Sequence, residues 1–166
     1  MYSSIAGFAE DWSLETKLTV TIFEAVADGR KSEKLNEHVR SLDRLAWHIT
    51  QTISEMPHKA GLREADDLEH RPIPVTMQEI IAVYKQYSSQ VLELVQQKWT
   101  DRDLKEEVNM YGANWAKGKI LTVLVHHQIH HRGQMTTLMR LLDMKVPGIY
   151  GPAREEWARF GMAAMD

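Results

Sequence analysis

The chain has 166 residues, a formal charge of -3, 43% hydrophobic and 26% charged residues, and no cysteine. That length suffices for one domain spanning residues 1–166, and the missing cysteines exclude disulfides, thiolate metal ligands and a cysteine nucleophile. No basic stripe marks a nucleic-acid surface, no apolar run reaches ~18 residues and no basic signal region opens the chain, so nucleic acid and membrane are not expected partners and the cytoplasm is the expected compartment.

Leu14, Leu18, Ile22, Phe23, Val26 and Ala27 predict a first helix over residues 12–27, ended by Asp28-Gly29. A second carries Val39, Leu42, Leu45, Ala46, Ile49, Ile53 and Met56 and should stop at Pro57. Residues 58–74 hold a glycine, two prolines and many charges, and read as a long loop of the kind that often lines a site. Thr76-Met77-Gln78-Glu79 is a capping box, opening a third helix that runs to about Trp99. A charged connection follows, with an extended reading for residues 107–111. No proline lies between Ala113 and Val146, so a fourth helix is expected over residues 113–142. Beyond Pro152, residues 153–162 predict a short helix with Trp157 and Phe160 facing inward. Four long helices without a strand pattern give an all-α four-helix bundle.

The fourth helix holds His126, His127, His130 and His131, four of the eight histidines. Residues four apart share a helix face, roughly 6 Å apart along the axis, so two pairs arise, rotated by ~100° from each other. Ile120, Leu124, His127, His131, Met135, Leu138 and Leu142 form one apolar track broken only by two histidines. That phase turns His127 and His131 inward and leaves His126 and His130 on the flank. Two buried imidazoles so placed can grip one divalent ion. A third ligand must come from another helix, and His48 is the histidine well inside one. His38 lies near the start of the second helix; His58 and His70 read as solvated loop residues.

Around these, Gln134 falls on the metal-facing side, where its amide can orient a ligand or a water. Gly133 costs ~1 kcal/mol inside a helix, which suggests close approach of another backbone. Arg132 points away from the site, toward a carboxylate or a dimer partner. Glu55, seven residues after His48, and Asp43 are the candidates for a general base. Trp115, Trp157, Tyr111 and Tyr150 are candidates for a pocket lining, against the alternative of core or dimer surface.

The string His127 to Gln134, with His-x-x-x-His-Arg-Gly-Gln spacing, His48 about eighty residues earlier and the closing VPGIYGP resemble the DinB-like family over nearly the whole chain. The resemblance implies an up-down-down-up bundle, a zinc or nickel ion on His48, His127 and His131, and a homodimer. It further implies a thiol-dependent S-transferase of the bacillithiol type, acting on a small-molecule thiol and an electrophile. The alternatives are a metal-dependent hydrolase using the same residues, and a metal-binding stress-response dimer without turnover. His130, Gln134 and Glu55 are the candidates for a supporting role around the ligands.

Overall fold

The computed structural model describes residues 1–164. Four helices account for most of them: α1 (Ile5–Ala25), α2 (Leu42–Lys59), α3 (Met77–Lys98) and α4 (Lys117–Leu141). A short 3-10 turn (Asp103–Lys105) and an antiparallel hairpin, β1 (Glu107–Met110) with β2 (Ala113–Ala116), precede α4, and a second 3-10 turn (Arg154–Phe160) follows it.

Helices α1 and α2 each pack against both α3 and α4, and so face each other across the bundle. Contacts fix the directions. Tyr2 lies against Gly118 and Arg30 against the Leu142 carbonyl, so α1 and α4 advance together. Trp12 Nε1 donates to the Ser88 carbonyl while Asp28 takes the Met77 amide, so α1 and α3 are antiparallel. His48 meets His127 and Lys59 meets Tyr111, so α2 runs against α4. The order is up-down-down-up, as the family resemblance implied. Parallel neighbours α2 and α3 require a connection as long as the 18 residues of α2, about 27 Å at 1.5 Å per residue, and the extended loop between them supplies it.

Several boundaries differ from the sequence expectation. Helix α1 starts at Ile5, capped by Ser4 Oγ on the Gly7 amide, and its buried stripe is Phe8, Trp12, Glu15, Thr19, Ile22 and Phe23. Leu14 is off that stripe and 52% exposed. Pro57 does not stop α2, because in the last turn its ring forfeits only one hydrogen bond and the helix closes through Lys59. Ala113–Ala116 pair with β1 in the hairpin, so α4 starts at Lys117 rather than at Ala113. The capping box of α3 forms as read, with Thr76 and Glu79 exchanging side-chain and backbone bonds. Phe160 is 61% exposed, not inward; its seven-residue turn has no buried residue.

The close backbone approach expected at Gly133 occurs instead at Gly118. Nothing surrounds Gly133, whereas a Cβ on Gly118 would overlap the Tyr2 carbonyl. The first residues cross the start of α4 here, the Tyr2 amide donating to Gly118 O at 3.3 Å and Thr122 Oγ1 at 3.1 Å. Gly118→Ala should therefore destabilise the protein by about 1–3 kcal/mol, while Gly133→Ala should leave it unchanged or slightly stabilised. Denaturant titration of both variants checks the contrast.

Candidate metal centre

Helix α4 lies between α1 and α2 and so must bury two faces. His127 and His131, four residues apart, face α2; Gln128 and Arg132, each one residue further on, face α1. The second pair was not singled out as a buried unit from the sequence, although its spacing repeats that of the first.

On the α2 side, His48 comes from the middle of its helix to complete a group of three. One nitrogen from each of His48, His127 and His131 can be chosen so that all lie within 4.8 Å of one another. His127 Nε2 and His48 Nε2 are 3.1 Å apart, and the three rings meet edge to face with centroids 4.4 to 4.8 Å apart. A tetrahedral ion bound at ~2.0–2.1 Å holds its ligand nitrogens roughly 3.3 Å apart, so the group is close to the spacing required. With the right tautomers these two nitrogens share a hydrogen bond, and a divalent cation can take a lone pair from each in its place. The three residues fit a metal; its identity is a separate matter.

Burial pushes the His48 imidazole down to about 4 and the His127 imidazole down to about 3, with the neighbouring rings and Arg40 adding to the effect. His131 is lowered too, chiefly by burial, against the pull of Gln134 in the other direction. All three rings are therefore neutral near pH 7, with lone pairs ready to bind. Because His48 and His127 titrate below the unfolded value of 6.5, the folded apoprotein binds fewer protons than the unfolded chain in acid. Stability from these residues is complete above about pH 6.5 and is lost as the pH falls through about 4 and then 3. Metal affinity should accordingly decline only weakly between about pH 7 and pH 5, where three ordinary imidazoles would already be protonated. Chelator competition across that range measures it; a loss of several decades would contradict the reading.

Gln134 sets the geometry of His131. Its Oε1 accepts from His131 Nδ1 at 2.7 Å, which leaves Nε2 of that ring unprotonated and directed into the group. The same amide donates to His130 Nε2 at 3.2 Å, and the His130 ring packs against that of His131. His126 is exposed. Gln134→Ala should weaken metal binding by about 10–100-fold and leave folding nearly unchanged, since Gln134 itself is exposed. Isothermal titration with the metal and a thermal melt separate the two effects.

The remaining sequence candidates fall elsewhere. Glu55 lines a cavity of about 280 Å3 with His48, His58 and Asp66, and lies 3.9 Å from Lys59 Nζ. Asp43 is no base: it is buried, accepting from Ser32, Ser41 and the Arg44 amide at the start of α2. His38 is exposed ahead of α2, beside a second cavity reached by His131, and His70 is solvated. His58 bonds the Arg63 carbonyl. Tyr111, Trp115, Tyr150 and Trp157 line neither cavity at the histidines. Tyr111 sits at the hairpin turn with φ 55° against Trp115 and Lys59, and Tyr150 bonds Glu15 and Arg132.

The DinB family model matches residues 1–164. The chain belongs to the DinB family. A relative in Bacillus subtilis (strain 168), the uncharacterized protein YrdA, is 35% identical over 164 residues, covering 99% of this chain and 98% of its own length. The crystal structure of a DinB-like protein from Bacillus cereus ATCC 10987 superposes with a TM-score of 0.83 at 33% identity, over 90% of this chain and all of that one. YjoA, a DinB-like protein from Bacillus subtilis, aligns with a TM-score of 0.67 at 16% identity over 88% of this chain and 98% of its own, a likeness of fold alone. Membership in the DinB family agrees with the up-down-down-up bundle and with three histidines grouped where a metal ion can sit. No helix among the described residues is long and apolar enough to cross a membrane.

Proposed function

We propose that this DinB-family protein is a zinc- or nickel-dependent S-transferase that joins a small-molecule thiol of the bacillithiol type to an electrophilic carbon. The observation that carries the reading is the count and charge of the ligands. Three neutral imidazoles converge, and among the described residues the group contains no carboxylate or fourth histidine. Structural zinc sites are closed by four protein ligands, whereas catalytic ones keep a position for a reactant. Imidazole suits both zinc and nickel. A divalent ion bound there would lower the pKa of a thiol beside it, making thiolate available near neutral pH. His48, His127 and His131 would hold the reacting centre, and Gln134 fixes the tautomer of His131.

The protein loaded with zinc or nickel, mixed with bacillithiol and monochlorobimane, should form the conjugate: a carbon–sulfur bond forms, chloride leaves and the thiol proton passes to solvent. Coenzyme A serves as the control thiol. Conjugation that depends on metal supports the transferase. Ester hydrolysis by the same loaded protein without conjugation would favour the hydrolase, and full metal loading with turnover of neither would favour the binding role. The family resemblance extends the reading to a cytoplasmic homodimer, for which light scattering should give twice the chain mass.

A further inference from the structure

The three histidines are approached through two openings of opposite character. Beside His48 the cavity is acidic, with Glu55, Asp66 and Glu69 against the single Lys59. Beside His131 lies a larger one, of about 430 Å3, walled by Val39, Leu45 and Leu138, with Arg40, Gln134 and Thr137 at its polar edge and no carboxylate. Arg40 is exposed and, among the described residues, makes no hydrogen bond or ion pair. Its neighbour Arg44 differs, donating to Gln51 Oε1 at 3.0 Å. Arg40 and His131 line the same cavity, so the guanidinium stands on the way in to the three histidines. A divalent ion at those rings would add a second positive charge to the same opening. An exposed guanidinium at the mouth of an opening that carries no carboxylate gives it a positive potential, and a carboxylate entering there gains from it.

We propose that the cavity beside His131 is the substrate entrance, and that it selects an amphiphile whose apolar chain lies on Val39, Leu45 and Leu138 and whose carboxylate pairs with Arg40. The reactive end of such a molecule then points at the three histidines. Guanidinium suits this task because its planar fork receives a carboxylate through two hydrogen bonds. The acidic opening beside His48 repels the same molecule. Arg40 is thereby a specificity residue, outside the ligand set. The inference rests on the metal-dependent reading above.

The test uses cobalt(II)-loaded protein and two thiols of equal length, mercaptohexanoate and mercaptohexanol, with sulfur-to-cobalt absorption as the readout of binding. The carboxylate thiol should bind about tenfold more tightly, the expected gain from one charge-assisted pair. Arg40→Gln should remove that preference by weakening mercaptohexanoate alone, and Arg40→Lys should retain part of it. In the unaltered protein the preference should shrink as salt is raised, a check that needs no variant. Equal affinities, binding of neither thiol, or a preference that survives in Arg40→Gln overturns the proposal. The cobalt spectrum recorded before thiol is added tells the two readings apart. A spectrum that shows no cobalt bound refutes the metal site itself, and the entrance with it; with cobalt bound and no carboxylate preference, only the entrance falls.

Discussion

His127→Ala is expected to lower metal affinity by about a thousandfold and to abolish thiol conjugation. A closed zinc site of four ligands is worth roughly 10–16 kcal/mol, so one ligand of the four carries up to about 4 kcal/mol, or about three decades. The apoprotein should fold as before, because the ring is half-buried and its near neighbour, His48 Nε2 at 3.1 Å, is another neutral nitrogen. Competition with a chromophoric chelator gives the affinity and far-ultraviolet dichroism the fold. Undiminished affinity would remove His127 from the ligand set.

Arg132→Ala should have the largest effect on stability, a loss of about 3–5 kcal/mol and on the order of ten degrees in Tm. Arg132 is 2% exposed and pairs with Glu15, itself 6% exposed. It also donates to the Glu15 carbonyl and to Thr19 Oγ1, each at 3.1 Å. Thr19 and Tyr84 in turn both donate to Gln128 Oε1, at 3.1 and 2.6 Å, and Tyr150 donates to the Glu15 carboxylate. Burial lifts the Tyr84 hydroxyl up to about 12, so it remains a donor throughout the working pH range. Truncating Arg132 strands the Glu15 carboxylate in the core, which costs far more than the pair contributes when intact. The double variant Arg132→Met with Glu15→Gln should therefore recover much of the loss. Urea denaturation of the three proteins decides it; equal destabilisation of single and double variants would show that shape, not charge, matters there.

Hydrophobic phase was a sound guide where a helix buries one face. It located α3 to within a residue, with its capping box, and it chose His127 and His131 over His126 and His130. The phase failed where a buried face is polar. Glu15, Thr19, Gln128 and Arg132 are buried polar residues linked by hydrogen bonds between α1 and α4, so none reads as core by hydrophobicity, and the α1 stripe was drawn through Leu14 instead. The Arg132 carboxylate partner was anticipated, but its burial inside the same chain was not. The hairpin was half visible: residues 107–111 read as extended, whereas Ala113–Ala116 merged with the helix after it because alanine suits a helix and only pairing with β1 makes it a strand. Gly118 and Gly133 show the same limit, since a glycine's reason lies in the neighbour, and Tyr2 is distant in sequence.

The most direct measurement is an anomalous-difference map, at the zinc and nickel edges, from crystals of the metal-loaded protein. The account predicts one strong peak at ~2.0–2.1 Å from a nitrogen of each of His48, His127 and His131, with a further coordination position not taken by protein. A peak elsewhere, or one from which the His48 ring is absent, would contradict it.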